Sequence, residues 1–183
     1  MKILVVYHSI YGHVQTLAKA VCEGVQEVPG VQLVLRRVHE FPEYVQHMEQ
    51  EKGFSYQVYQ GQQSIPECTV DDLREADGVL FGSPTRFGNM TAQMKALIDS
   101  TVELWLKGEM EDKPAGVFTS TASTHGGQET TLLTMMVPPA PSRHGDCRCP
   151  VFHTRHDPYR SSWRHAVWGI NHCRCNRSAS TST

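Results

Sequence analysis

The chain of 183 residues has no apolar run long enough to cross a bilayer. It opens directly on a strand-like stretch with no signal-peptide pattern, so the expectation is a cytoplasmic protein without membrane insertion. It has no excess of positive charge: the formal net charge is −2, which argues against a nucleic-acid partner. It lacks the spaced glycines of a dinucleotide fingerprint, and no Gly-Lys-Ser/Thr marks a P-loop. Cysteine is scarce where a core is expected, with Cys22 and Cys68 alone before residue 137, and Cys22 falls on an apolar helix face as a core residue. From Val137 onward the balance changes. That segment has seven Arg, no Lys and two Asp, and it holds four of the six Cys and five of the ten His. One chain therefore carries two compositions, divided near residue 137.

What is present in the first part is a repeating pattern. The short β-branched run Ile3–Tyr7 reads as a strand buried on both faces. After it, Val14, Leu17, Ala18, Val21, Cys22 and Val25 share one helical face. Pro29-Gly30 ends that helix, and 31–38 reads as a second strand. Phe41 to Glu67 is polar, Gln-rich and weakly periodic, and reads as an irregular excursion. Thr69-Val70-Asp71-Asp72 is a capping-box-like helix start. Residues 77–82 form a third strand, Met90 to Val102 have helical spacing, 115–120 form a fourth strand, and Thr130 to Met136 begin another apolar helix. Strand, helix and strand in alternation predict an α/β fold with a doubly wound parallel sheet. Such sheets bind ligands outside the carboxyl ends of their strands.

Three loops leave those ends. The octet Ser9-Ile10-Tyr11-Gly12-His13-Val14-Gln15-Thr16 is a strand-to-helix turn with hydroxyl and ring donors. A helix N-terminus has unpaired N–H groups and a positive dipole end, so the turn suits a phosphate. Gly82-Ser83-Pro84-Thr85-Arg86-Phe87-Gly88-Asn89-Met90 follows strand three, and Ser120-Thr121-Ala122-Ser123-Thr124-His125-Gly126-Gly127-Gln128-Glu129 follows strand four. Taken singly, each has an ordinary reading: a capped βα turn, a solvated Arg86, plain loop histidines at His13 and His125. Their convergence on one sheet edge is the stronger signal.

These loops resemble those of the WrbA-type flavoproteins, the type IV NAD(P)H:quinone oxidoreductases, along Met1 to about Met136. The resemblance implies a flavodoxin-like sheet of order 2-1-3-4-5 in a cytoplasmic, tetrameric enzyme. It implies FMN as cofactor, NADH or NADPH as co-substrate and a quinone as acceptor. It implies an FMN phosphate held by Ser9, Ile10, Tyr11, Gly12, His13 and Val14. The flavin ring would lie against Thr85, Arg86 and Phe87 and against the loop of Ser120, Thr121, Ala122, Ser123, Thr124, His125 and Gly126. Tyr11 would also touch the nicotinamide nucleotide, and Trp105 would line the substrate face, although Trp105 reads equally well as the cap of a helix face. No side-chain nucleophile and no metal are expected. A flavodoxin-like electron carrier or partner protein without a substrate pocket stays open as an alternative.

The tail, 137–183, fits neither this pattern nor a core. Pro138, Pro139 and Pro141 break the preceding helix. A metal site of Cys147, Cys149, His153, His156, His165, Cys173 and Cys175 is one reading, but both cysteine pairs are Cys-x-Cys, and zinc modules favour two to four intervening residues. The genetic code offers a better one. With permitted codons read one nucleotide forward, Trp163 to Ile170 becomes Gly-Gly-Thr-Pro-Tyr-Gly-Ala-Ser, a signature string of the same family. The same shift turns Pro139–Gly145 into Leu-Leu-His-His-Gly-Met followed by Ala or Val, and Cys149–Thr154 into Val-Pro-Tyr-Ser-Thr-Pro. The expectation is an FMN-binding domain over 1–136 and an out-of-frame tail over 137–183, which costs the sheet its fifth strand and last helix.

Overall fold

In a computed structural model, residues 1–136 are described, together with the backbone of 151–154 and 166–171. β1 (Lys2–Tyr7), β2 (Gln32–Arg37), β3 (Gly78–Pro84) and β4 (Ala115–Ser120) form parallel pairs in the order β2-β1-β3-β4. The expected doubly wound order is therefore present. Alternate residues of β1 supply opposite faces, as a period of two requires. Leu4 and Val6 join a cluster with Leu73, Phe81, Met94, Val117, Leu132 and Met135. Val5 and Tyr7 join Val14, Ala18, Val21, Cys22 and Phe118 on the other face. That second cluster is the apolar stripe of α1 (His13–Gln26), with Leu17 and Val25 packed against it. Gly82 is needed where it stands, since a Cβ there would lie 2.2 Å from the Phe118 ring.

The excursion over 41–67 is more ordered than its composition suggests. It holds α2 (Pro42–Glu51) and α3 (Phe54–Gly61). Pro42 starts α2 at a position where its missing N–H is harmless. Both helices bury little beyond Met48, so no strong apolar period marked them in the sequence. α4 (Val70–Glu75) has the full capping box, with Thr69 and Asp72 exchanging hydrogen bonds, Asp in place of the usual Glu. α5 (Ala92–Asp99) begins under a Thr91 cap, α6 (Val102–Leu106) follows it, and α7 (Gln128–Met136) lies after β4. The single helix read from Met90 to Val102 is thus two helices, with Met90 ahead of the first and Val102 exposed.

The tail was expected to give no clean fifth strand; two antiparallel strands are present there. β6 (Ala166–Asn171) pairs antiparallel with β4, and β5 (Val151–Thr154) pairs antiparallel with β6. An open strand edge pairs with any extended chain that satisfies its N–H and C=O groups. Antiparallel strands do not replace the fifth parallel strand of a doubly wound sheet. Of the considered metal ligands, His153 is described in backbone alone, and the other six lie outside the described residues. Among the described residues no group of His, Cys, Asp or Glu could hold a metal ion, and no helix is long and apolar enough to cross a membrane.

Candidate functional site

The carboxyl ends of β1, β3 and β4 gather the three loops. The turn after β1 ends at Gly12, whose φ of 81° is left-handed and suits glycine. Gly12 is the N-cap of α1, with no side-chain cap and no acidic residue in the first turn. The first N–H groups of α1 therefore keep their hydrogen-bonding capacity for an anion. Thr16 turns its hydroxyl back to the Gly12 carbonyl at 3.1 Å, so it shapes the turn rather than facing a ligand. The Gln62 amide donates to the Ser9 carbonyl at 3.0 Å and ties the turn to the end of α3. Val14 is buried in the α1 stripe, so its side chain belongs to the core and only its backbone faces the turn. Tyr11 is exposed.

The other two loops interlock. Arg86 and Asn89 exchange backbone hydrogen bonds of 2.7 and 3.0 Å around Phe87 and Gly88, both at positive φ (52° and 79°). That is the signature of a tight turn with two left-handed central residues. It leaves the Phe87 ring fully exposed at the tip. Arg86 donates to the Thr85 carbonyl at 3.0 Å. The Thr85 N–H donates to the Ser120 carbonyl at 3.3 Å, and the Thr85 hydroxyl lies 2.8 Å from that of Thr131. At Gly127, φ is 94° and a Cβ would lie 2.7 Å from the Gly88 Cα, so the loops touch backbone to backbone. Thr121 and Ser123 close a small turn, with the Thr121 hydroxyl donating to the Ser123 carbonyl at 2.8 Å. A Cβ on Gly126 would lie 2.1 Å from the Ser123 hydroxyl oxygen. His125 reaches Glu129 at 3.0 Å across the start of α7; backbone hydrogen bonding at Glu129, and then this contact, hold that carboxyl below its ordinary range. Trp105, on α6, is 45% exposed, and its backbone N–H donates to the Thr101 carbonyl.

Beneath the loops lies a polar layer absent from the sequence reading. Ser83, Thr91, Thr119 and Thr131 are wholly or nearly buried there. His8, the residue before Ser9, places Nε2 2.9 Å from the Glu40 carboxylate. Glu40 also accepts from the Phe41 N–H at 3.0 Å and from the Gln93 amide. All three side chains are buried. Burial alone would raise the Glu40 proton affinity, but the hydrogen bond and positive charge of His8, with the hydrogen bonds from Gln93 and the Phe41 N–H, outweigh it and hold this carboxyl below its ordinary value of 4.5. Only the end of β1 against α5 brings these distant residues together, so no local motif announced them.

That lowered affinity sets a sign. Glu40 contributes stability that is whole above its unfolded value and drains away as pH falls through the lower folded value. Glu40→Gln is expected to destabilise the protein at pH 7, with the gap to wild type narrowing below about pH 4.5. Urea unfolding midpoints across pH 3–7 check this, and a gap independent of pH refutes it.

An apolar cleft of about 220 Å³ among Ile3, Val25, Val28, Leu80 and Pro114 lies at the amino ends of the strands, away from the loops. The loops themselves have relatives. The chain is 50% identical over 139 residues to an NAD(P)H dehydrogenase (quinone) of Geobacter sulfurreducens, covering 73% of this chain and 64% of that protein. It is 50% identical over 133 residues to the protein of the same name from Geotalea daltonii, covering 73% and 63%. It therefore spans less than two thirds of the length of these curated relatives. Among solved structures it is similar to a flavodoxin, WrbA-like protein from Agrobacterium tumefaciens, at 28% identity and a TM-score of 0.53, over 75% of this chain and 70% of that one. Residues 1–137, which carry β1 to α7 and all three loops, match the family described as NADPH-dependent FMN reductase. The chain belongs to that family.

Proposed function

We propose that residues 1–136 bind FMN and that the intact protein is an NAD(P)H:quinone oxidoreductase. The observation that carries this is the uncapped α1 N-terminus at the end of β1, beside the interlocked loops of β3 and β4. It stands where β1 is flanked by β2 on one side and β3 on the other, the switch point at which such sheets hold ligands.

The residues fit that cofactor. Backbone N–H groups from Gly12 to Val14, with the Ser9 hydroxyl and the His13 ring, would receive the phosphate. Thr85, Arg86 and Phe87 would bear on the ring from one side and Ser120 to Gly126 from the other. Phe87 is fully exposed in a tight turn, as a residue awaiting a flat partner would be. Bound FMN supplies the hydride acceptor and the two-electron donor. The protein binds and orients: fixed loop N–H groups suit negative charge on the ring, and Trp105 offers a flat apolar surface to a quinone. Tyr11, exposed above the phosphate turn, would meet the nicotinamide nucleotide. The parent would be a cytoplasmic tetramer. The tail would be an out-of-frame translation, a reading supported by a family match that stops at residue 137.

The test is NADH- or NADPH-driven reduction of benzoquinone by FMN-loaded protein. Turnover that depends on added FMN is expected. Trp105→Ala is expected to raise the quinone KM about tenfold, the loss of about 1.4 kcal/mol of contact, with kcat little changed. Tight FMN binding without quinone turnover would instead mark an electron carrier.

A further inference from the structure

The end of α3 bears directly on the phosphate turn. Gln62, the C-cap of α3, is 5% exposed. Its amide nitrogen carries two hydrogens, and both are engaged. It donates to the Val58 carbonyl of its own helix at 3.1 Å and to the Ser9 carbonyl, 53 positions away in the chain, at 3.0 Å. Val58 itself stands beside the turn, since a Cβ on Gly12 would lie 3.8 and 3.9 Å from its two methyl groups. The neighbours of Gln62 are tied to the end of β2. Arg37 donates to the Ile65 carbonyl at 3.0 Å and to the Gln63 amide oxygen at 3.1 Å, and its guanidinium stands 6.0 Å from the Tyr59 ring centroid. Gln62 therefore reaches the turn from an anchored base.

What the contact holds is the direction of one peptide. The Ser9 carbonyl and the Ile10 N–H belong to the same trans peptide unit, so they point in opposite directions. An acceptor claimed on one side by Gln62 fixes the donor on the other. Among the described residues no backbone carbonyl accepts from the N–H groups of Ile10, Tyr11 and Gly12. Without the Gln62 amide, the carbonyl of the buried Ser9 loses its partner, which is costly. The peptide then gains by rotating until its oxygen finds water at the open side of the turn. That rotation brings the negative end of a carbonyl to the place of an anion and takes an N–H away from it.

We propose that Gln62 is a positioning residue of the β1–α1 turn: by holding the Ser9 carbonyl it turns the Ile10 N–H toward a phosphate monoester and keeps the carbonyl oxygen away from it. This rests on the FMN reading for the identity of the ligand. It gives α3, whose polar composition read as loop, a part in discriminating a flavin phosphate from the bare flavin, through a residue that need not touch the ligand.

The experiment is fluorescence titration of the full chain with FMN and with riboflavin, the same ring without phosphate. Wild type is compared with Gln62→Met, which keeps the length of the side chain and removes both donors. Gln62→Met is expected to weaken FMN binding about tenfold, the scale of one hydrogen bond, and to change riboflavin affinity less than about twofold. A Gln62 that only steadies the fold would weaken both flavins by the same factor. That outcome, or an unchanged FMN affinity, overturns the proposal, while FMN binding by wild type leaves the FMN reading intact. If wild type binds no FMN, that reading falls and inorganic phosphate becomes the probe. A shift of the Ile10 amide resonance on adding phosphate to wild type, absent in Gln62→Met, then supports the proposal; no shift in wild type, or an equal shift in both, overturns it. If Gln62→Met does not fold, hydrogen exchange of wild type decides. Protection of the Ile10 amide by FMN and not by riboflavin supports the proposal, and equal protection by both, or by neither, overturns it.

Discussion

A one-nucleotide shift of the reading frame after the codon for Met136 is expected to produce a far more stable protein that binds FMN stoichiometrically. The out-of-frame reading predicts this directly. The restored string would supply a fifth parallel strand beside β4 and a last helix, in place of the antiparallel β6 and β5. Those elements would bury about eight apolar side chains, each worth about 1.5–3 kcal/mol before entropy is charged. A domain's whole stability is about 5–15 kcal/mol, so their loss is of the same size as the margin that keeps it folded. The second face of the sheet shows where cover is thin. α1 is the helix packed there, and the apolar cleft between Val25, Val28 and Leu80 opens beside it. Expression of both frames, with urea midpoints and FMN titration, is the measurement. The chain as written is expected to fold poorly, with a much lower urea midpoint and weaker FMN binding than the restored frame. Equal midpoints in the two frames would refute the cost assigned to the lost strand and helix. Sequencing the gene across Thr134 to Arg143 separates an artefact from a natural frameshift: a missing or extra nucleotide makes the tail an error, and an intact frame makes it a true product.

Gly127→Ala is expected to be the most damaging single substitution in the site. At φ 94° an alanine is strained, at about 1–3 kcal/mol. Its Cβ would also lie 2.7 and 3.1 Å from Gly88 Cα and N, backbone atoms that cannot rotate away. The loops after β3 and β4 would have to separate, at an overpacking cost of about 1–3 kcal/mol more. The Gly127 carbonyl would move with them, although it accepts from the Thr131 N–H and from the Thr130 and Thr131 hydroxyls at 2.8–3.0 Å. FMN affinity is expected to fall at least tenfold, since 1.4 kcal/mol is a factor of ten. Gly24→Ala is the control: it lies in α1 with nothing within 4 Å of the new methyl, and it should stabilise slightly. If both variants bind FMN as wild type does, the loop contact is not part of the site.

The sequence alone determined the scaffold of residues 1–136. β1 and β4 were legible because strands buried on both faces must be short continuous apolar runs. α1 was legible because its stripe at 3.6-residue spacing faces one sheet surface. The position of the three loops followed from alternation of strand and helix. Local rules went no further. α2 and α3 bury too little to leave a period, so their polar composition read as loop. The break between α5 and α6 was hidden because Met90 and Val102 extend the spacing without sharing the helix. The strands of the tail depend on the open edge of β4, which no residue of the tail encodes. The tertiary structure alone decided the polar layer under the site. His8, Glu40 and Gln93 are separated by up to 85 positions in the chain, and they meet because a parallel sheet brings the ends of β1 and β2 to the first turn of a crossover helix. A buried hydrogen-bonded cluster of this kind has no period and no motif; its residue types are dictated by partners that only the fold supplies.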